Sequence, residues 1–546
     1  MIVLGINGGV RAGYQDISAV LMNNGRIVAA IEEERITRVK HVAGQLPIQS
    51  IKEVLHIANI NIQDVSVVAF HGSTWEPVIE TVLKNHFQNY FGYCPSIKRF
   101  HHHACHAAST FYASGFEEAL IFTIDGSGDG ISTQISIANK KEIKGIKEFA
   151  RPQSLGIFYS MMTQLCGFTR DVDEYKLMGL SAYGNPSSFD LSDVLQITDE
   201  GYYFNTEFLV DIPHGKPSPS RYEMLFNQQL INKIGLSRRI SKDIPQTYKD
   251  LAAATQLQLE RALVQLIKIY VQQTGIKKIC LAGGVALNCL ANGKIEFLKE
   301  VEELFIQPAS NDAGISLGAA YLAGAEENIF PQKTNHVFWG NSFTDDEVEL
   351  VLKNCGVNFR KSENVIEAAA TALAQNKVVG WFQGAMEFGP RALGSRSILA
   401  NPSAPNIQSV VNQKVKFREG FRPFGASVLE SLFHNYFKAN CNEAPYMTKV
   451  FDVKPEFQTL LKGVTHTDGT CRAQTVNIHQ HKKYFELLQL FEKKTGLGAL
   501  LNTSFNLNHE PIVFSPRDAV ASFFASGLDI LFIENFVVEK KESFKS

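Results

Sequence analysis

Apolar and β-branched positions open the chain in a short run, Ile2 to Ile6, which breaks at Asn7-Gly8-Gly9. A second run, Ser18 to Met22, stops at Asn23-Asn24-Gly25, and a third, Arg26 to Ile31, follows at once, which is the pattern of a β-hairpin entered from a leading strand. About a hundred residues later the order returns: Ala119 to Ile124, a glycine-rich break over 125–130, Ile131 to Ala138, the turn Asn139-Lys140-Lys141 and another strand. Two copies of one unit predict an internal duplication. Leu251, Ala254, Leu257, Leu263 and Leu266 recur at helical spacing and predict a long helix over 248–274, followed by a strand over 278–281. Ala282-Gly283-Gly284-Val-Ala-Leu-Asn288 then turns directly into another helix.

Two strand-hairpin sheets with glycines where the strands end form the architecture of the actin-like ATPase and sugar-kinase fold, an α/β class that holds nucleotide between its lobes. This is an analogy of fold, which alone does not give function. After Gly324 the chain turns polar through Asn335, and a new α/β pattern begins with a helix over 365–375 and a strand over 378–382. The boundary is expected between about 330 and 360, giving domains written 1–345 and 346–546.

The chain has 546 residues, 45% hydrophobic and 20% charged, which suits a globular protein of several domains. Its 53 basic and 55 acidic residues leave a net charge of -2, so no overall basic field exists to hold nucleic acid or an anionic membrane. Any anion must be met by a local constellation. The 8 cysteines form no CxxC pair, which argues against a disulfide framework and a thiolate zinc site. No basic, apolar leader opens the chain and no run reaches the ~18 apolar residues of a membrane span, so a cytoplasmic protein without a targeting segment is expected.

His102 and His106 stand four apart at the start of a predicted helix, where both imidazoles project from one face and can reach one ion. Asp125, ending the following strand, and Asp312, opening another helix, add oxygen donors from glycine-containing turns. Nitrogen and oxygen donors alone suit iron(II), manganese or zinc with an open position. A bare HxxxH is more often a solvated helix start; the two aspartates reverse that balance.

The C-terminal part carries Gly389-Pro390-Arg391-Ala-Leu-Gly394-Ser395-Arg396, then Lys414, Lys416, Arg418 and Arg422 among glycine, proline and phenylalanine. Guanidinium forks bind phosphate and carboxylate bidentately, and lysine adds a point charge. Arg472, in a turn-rich stretch, and the run Leu501-Asn502-Thr503-Ser504-Phe505-Asn506 add a cation, amides and hydroxyls suited to a polyphosphate. Some of these arginines are expected to be structural, paired with Glu387 or Glu419.

Taken together, Glu32-Glu33-Glu34-Arg35 with Thr37-Arg38 and Lys40-His41, the block His102 to Ser109, Asp125-Gly126, Ser154-Leu-Gly156, Lys176-Leu-Met178-Gly179, Gly283 to Asn288, Asp312-Ala-Gly314, Phe388 to Gly394, Phe421 to Phe424 and Leu501 to Asn506 closely resemble the NodU/CmcH O-carbamoyltransferases, natural-product and antibiotic-tailoring enzymes. The resemblance runs through nearly the whole chain in the same order. It implies a C-terminal domain similar to threonylcarbamoyl-adenylate (YrdC-like) synthases, which makes carbamoyl adenylate from carbamoyl phosphate and ATP with Mg2+. An N-terminal actin-like domain then passes the carbamoyl group to a hydroxyl of a small polar acceptor. By the resemblance, His102, His106, Asp125 and Asp312 hold iron(II) or another divalent metal. Lys176, Gly283, Gly284 and Asn288 contact the adenylate. Arg391, Lys416, Arg422, Arg472, Asn502 and Ser504 serve carbamoyl phosphate and ATP, with Arg391 and Lys416 in catalysis. No nucleic acid or membrane partner is implied, and the oligomeric state, a homodimer included, stays open.

Two places depart from the family, the smaller being Glu174-Tyr175-Lys176, where Gly commonly precedes the Lys. The first loop usually reads Gly-x-His-Asp-x-Ser-Ala, its His acting on the acceptor hydroxyl, whereas here Gln15 precedes Asp16, and glutamine takes up no proton at any useful pH. Gln15 and Asp16 are the candidate groups at the acceptor. Two alternatives follow from the change: an amine or guanidine acceptor, or a nucleotide-binding regulatory homologue deficient in transfer.

Overall fold

The computed structural model describes residues 1–9, 16–42, 44–210 and 222–540. They divide into two compact units: Met1–Glu33 with His41–Thr334, and Glu34–Lys40 with Asn335–Ser546. Gln15 lies outside the described residues.

The first unit contains two five-stranded sheets of one topology. β1 (Ile2–Asn7), β2 (Ser18–Asn23), β3 (Arg26–Glu32), β4 (Val67–His71) and β5 (Ser96–Phe100) lie in the order β3-β2-β1-β4-β5, with β1 antiparallel to β2 and parallel to β4. β6 (Glu118–Gly128), β7 (Ile131–Asn139) and β8 (Ile143–Ala150) follow, then a separate ribbon of β9 (Leu195–Thr198) with β10 (Gly201–Phe204). The second sheet is completed by β11 (Lys278–Ala282) and β12 (Glu303–Ile306), in the order β12-β11-β6-β7-β8. Here β6 stands where β1 does, antiparallel to its hairpin and parallel to its crossover strand. The duplication predicted from the strand, loop and hairpin pattern is therefore present, and with it the actin-like ATPase and sugar-kinase fold. The leading strands are buried almost throughout, which is why they read as continuous apolar runs and not as alternation.

Helices His102–Ser114 and Ala313–Glu326 pack together, and small residues set their separation. A Cβ on Gly318 would fall 1.8 Å from the Cys105 carbonyl oxygen, so only glycine permits this crossing. The crossing draws the starts of the two helices close, which is where the candidate metal donors stand.

The second unit is built on one ten-stranded mixed sheet. Its strands are β13 (Phe359–Lys361), β14 (Val379–Phe382), β15 (Arg396–Ala400), β16 (Gly425–Leu429), β17 (Phe437–Lys438), β18 (Val450–Val453), β19 (Thr470–Val476), β20 (Ala499–Ser504), β21 (Ile530–Ile533) and β22 (Phe536–Glu539). Their order is β13-β22-β21-β14-β15-β20-β16-β19-β18-β17. Helices Val365–Ala374 and Lys482–Thr495 pack against each other through apolar faces: Val365, Ala369, Ala370 and Leu373 on one, Tyr484, Leu487, Leu488 and Phe491 on the other, each at helical spacing.

Glu34–Lys40 leaves the N-terminal sheet to join the second unit, an excursion with no sign in the sequence pattern. Arg35 Nη2 donates to the Gly389 carbonyl at 3.0 Å, and Arg38 Nη2 donates to the Pro511 carbonyl at 2.9 Å while its Nε lies 3.6 Å from Asp518. Two arginines of the family block are thus used as donors to carbonyls far along the chain.

Candidate functional site

The first unit gathers the four predicted metal donors. One donor atom from each of His102, His106, Asp125 and Asp312 lies within 4.8 Å of the others. His102 Nε2 is 3.1 Å and His106 Nε2 3.3 Å from Asp125 Oδ2, and Asp312 Oδ1 is 3.6 Å from His106 and 3.9 Å from His102. Asp125 is oriented by its other oxygen, which accepts from the Gly126 N–H at 2.7 Å and the Gly284 N–H at 3.4 Å. Asp312 stands at the N-terminus of its helix yet makes no capping hydrogen bond, leaving its carboxylate turned to the histidines. His103, between the two histidines in sequence, points away and bonds Thr123 Oγ1 at 2.7 Å and the Ile131 carbonyl at 3.1 Å.

The electrostatics ask for a cation. Burial opposes a charge on His106, but the attraction of Asp125 and Asp312 outweighs it and raises its pKa to about 9. Burial likewise opposes the Asp125 carboxylate, yet hydrogen bonds from His102 and His106 hold it well below the usual range. Burial and the Asp125 charge push Asp312 up. Four donors around one point, each about 2 Å from a shared ion, would show separations of this size. The residues therefore fit a divalent metal with nitrogen and oxygen ligation and an open position.

Gly283, at φ +90°, lets the loop after β11 lie against the end of β6, where a Cβ would fall 2.3 Å from the Ile124 carbonyl oxygen. This brings Gly283 and Gly284 to the metal donors. Asn288 is engaged structurally: its Oδ1 accepts from Ala291 N at 3.0 Å, capping the next helix, and it exchanges amide hydrogen bonds with Gln256 at 3.0 and 2.9 Å. Lys176 is buried and pairs with Asp173 at 3.1 Å. Asp16 Oδ1 lies 3.5 Å from His41 Nδ1, and two residues on Ser18 Oγ donates to the Ala313 carbonyl at 2.8 Å, beside Asp312.

Glu174, near Lys176, has no role assigned to it by the sequence, where nothing marks a buried carboxyl. It accepts from Ser160 Oγ at 2.7 Å and the Asp171 N–H at 2.6 Å, and burial, then Asp171, raises its pKa to about 7. A carboxyl raised in the folded state favours folding while protonated and loses that contribution as pH climbs from its unfolded value toward 7. Glu174→Gln should therefore melt above the wild type at pH 8 and level with it at pH 4, as thermal unfolding at the two pH values would show. An equal gain at both would place the effect outside this ionisation.

In the second unit, Arg472, Gly425 and Asn502 share one rung across β19, β16 and β20. Arg472 and Asn502 thus face the same side, with no side chain between them, and Ser504 joins that side two residues along β20. Asn502 Nδ2 donates to Ser427 Oγ at 2.9 Å and the Ala392 carbonyl at 3.2 Å, while its buried Oδ1 has no hydrogen-bond partner. Lys416 is buried, and its Nζ donates to the Ser504 carbonyl at 2.8 Å, the Asn506 carbonyl at 2.9 Å and Asn506 Oδ1. These acceptors are neutral. Burial first, then Arg418, Arg422 and Lys40, push the Lys416 pKa well below its ordinary value. Among the described residues no carboxylate lies within ion-pair distance of Lys416, so the cluster is short of negative charge, as an anion site is. Arg422 lies 3.7 Å from Glu419, and Arg391 sits half-buried in the turn after Gly389.

Arg396 is structural, but not through the carboxylate pairing the sequence suggests. It is fully buried, lies 3.6 Å over the Phe382 ring and donates to the carbonyls of Gln383, Gly384, Ser395 and Asn341 at 3.0–3.2 Å. Glu387 instead accepts the backbone N–H of Leu393 at 2.7 Å, fixing the Arg391 turn from behind. Arg396→Ala, which strips four buried carbonyls of their donor, should cost about 3–5 kcal/mol. Urea unfolding would read this loss, and a change under 1 kcal/mol would refute it.

With the geometry established, the comparisons with known proteins carry the identity. Family models described as the carbamoyltransferase N-terminus and C-terminus match residues 7–99 with 78–321, and 370–540. This chain belongs to the carbamoyltransferase family. Nodulation protein NolNO of Sinorhizobium fredii is 35% identical to this carbamoyltransferase over 99% of its chain and 83% of the relative. An uncharacterized protein of Synechocystis sp. is 35% identical over 97% and 96%, and Nodulation protein U of Rhizobium tropici 34% over 46% and 42%. Among solved structures, HypF of T. kodakarensis covers 60% of the carbamoyltransferase and 48% of its own chain at 12% identity and a TM-score of 0.33, too distant to carry an argument. No helix among the described residues is long and apolar enough to cross a membrane.

Proposed function

We propose that this carbamoyltransferase makes carbamoyl adenylate from carbamoyl phosphate and ATP in its second unit, and transfers the carbamoyl group to a hydroxyl of a small polar acceptor in its first. The observation that carries the reading is the pairing, in one carbamoyltransferase chain, of a four-donor cation cluster with a buried, charge-deficient lysine cradle.

In the second unit, considered as a threonylcarbamoyl-adenylate-synthase-like domain, water splits carbamoyl phosphate into carbamate and inorganic phosphate, and attack of a carbamate oxygen on the α-phosphate of ATP, expelling pyrophosphate, builds negative charge on phosphate oxygens. Lys416, held by backbone carbonyls, and Arg422, held by Glu419, strengthen their hold as that charge develops without reorganising, and Arg472 adds a further cation. Arg391 and Asn502, whose buried Oδ1 has no hydrogen-bond partner, complete the binding of carbamoyl phosphate, with Ser504 beside Lys416 Nζ. In the first unit, His102, His106, Asp125 and Asp312 would hold a divalent ion, iron(II) among the metals that suit them. When bound, such an ion supplies Lewis acidity toward a carbonyl or phosphate oxygen. The Gly283–Gly284 turn brings backbone N–H groups to the same place, and Lys176 supplies a cation to the adenylate phosphate. The acceptor's proton must leave as the new C–O bond forms. With Gln15 in place of the family's His, Asp16 and His41, 3.5 Å from it, are the candidate groups to take that proton.

The test is to give purified protein ATP and labelled carbamoyl phosphate, with and without hydroxylated candidate acceptors, following pyrophosphate and AMP separately. Carbamoyl-phosphate-dependent pyrophosphate release, with AMP release requiring acceptor, is expected. ATP binding without either release would favour a regulatory homologue, and transfer only to amines or guanidines would move the acceptor class.

A further inference from the structure

We propose that Phe417 is the residue on which the adenine base of ATP stacks in the second unit, an inference that rests on the adenylate-forming reading and adds to it the recognition of the base. Phe417 follows Lys416, the buried cation at the centre of the charge-deficient cluster, and precedes Arg418. The residue is 53% exposed although most aromatic residues of this unit are in the core. Its backbone is left-handed, at φ +48°, a conformation that a bulky residue rarely adopts and that glycine would take without strain. The chain reaches that conformation one residue after a π-helical turn, Val411–Val415, a distortion that concentrates at functional sites.

The neighbours hold the turn in place. Asn508 Nδ2 donates to the Phe417 carbonyl at 3.1 Å, Arg418 Nε donates to Asn412 Oδ1 at 2.7 Å, and the Arg418 guanidinium lies 4.7 Å over the Phe424 ring. The surroundings thus impose an unfavourable backbone whose result is an exposed aromatic residue, next in the chain to Lys416 and Arg418. A nucleoside triphosphate needs both parts at once: fixed cations for its phosphates, and a flat apolar surface for a base whose faces stack on aromatic rings. Carbamoyl phosphate has no ring and needs only the cations, so Phe417 should discriminate between the two substrates of one site.

The experiment uses the full chain. Carbamoyl-phosphate-dependent pyrophosphate release is measured over a range of ATP and of carbamoyl phosphate in the wild type, Phe417→Leu, Phe417→Gly and Phe417→Trp. Loss of the ring should raise KM for ATP about fivefold to a hundredfold, the size of one base stack, with KM for carbamoyl phosphate unchanged and the tryptophan variant losing least. Phe417→Gly should also melt above the wild type, because the left-handed strain is relieved, while binding ATP worse; a surface or folding role would not combine the two. In Phe417→Trp, ATP should quench the added fluorescence and inorganic tripolyphosphate should not. An ATP KM within twofold of wild type in Phe417→Leu, or equal quenching by both ligands, overturns the proposal. A wild type that releases no pyrophosphate would sink the adenylate reading instead, and the fluorescence titration then decides the base contact by itself.

Discussion

His106→Ala is expected to lose bound metal and abolish carbamoyl transfer while leaving pyrophosphate release close to the wild-type rate. The motivation is the position of the donors. His106 is fully buried, its Nε2 lies 3.3 and 3.6 Å from the two carboxylates, and all four donors belong to the first unit. Changing a residue that merely orients a ligand already costs about 10–100-fold in metal affinity or activity, so removal of a ligand should exceed that. Metal content by elemental analysis and the two product assays separate the outcomes. Equal loss of both half-reactions would count against two separate sites, and full metal occupancy in the variant would remove His106 from the ligand set. His103→Ala is the control: its ring bonds Thr123 and Ile131, so metal should be retained even if stability falls.

The reciprocal expectation is that Lys416→Ala and Arg391→Ala suppress carbamoyl-phosphate-dependent pyrophosphate release about thirtyfold to a thousandfold, the equivalent of losing ~2–4 kcal/mol of transition-state stabilisation. Lys416 also donates to the carbonyls of Ser504 and Asn506, so its variant will lose some stability; Arg391, at a half-buried turn, isolates the catalytic effect. Chemically supplied carbamoyl adenylate should restore transfer in both variants. If Arg391→Ala also refuses the supplied adenylate, its defect is not confined to adenylate formation. Unchanged pyrophosphate release in both would remove the cluster from the chemistry.

Much of the candidate metal centre was legible before any coordinates because its signals are local. Two histidines four apart on a helix share a face whatever the rest of the chain does, and an aspartate in a glycine turn at a strand end marks where strands deliver side chains. The rung joining Arg472, Gly425 and Asn502 could not be read, since it depends on strands that pair across dozens of residues. The roles of the arginines were only half legible: Arg396 and Arg391 stand five apart in one motif, yet one satisfies buried carbonyls and the other stays at the turn.

By itself, the sequence determined the duplicated strand and hairpin units, the long helix before β11, the separation into an N-terminal and a C-terminal α/β region and the histidine pair. Each of these follows from short-range periodicity or from residues that favour turns, whose energies depend on neighbours a few positions away. Only the tertiary structure decided that Glu34–Lys40 joins the second unit, that Gly318 lets two helices cross closely enough to bring Asp312 to His106, and that Lys416 is buried with no acidic partner among the described residues. Those outcomes depend on desolvation and on contacts between segments far apart in the chain, where the energy of a charged side chain is set by what surrounds it and not by the residues beside it in sequence.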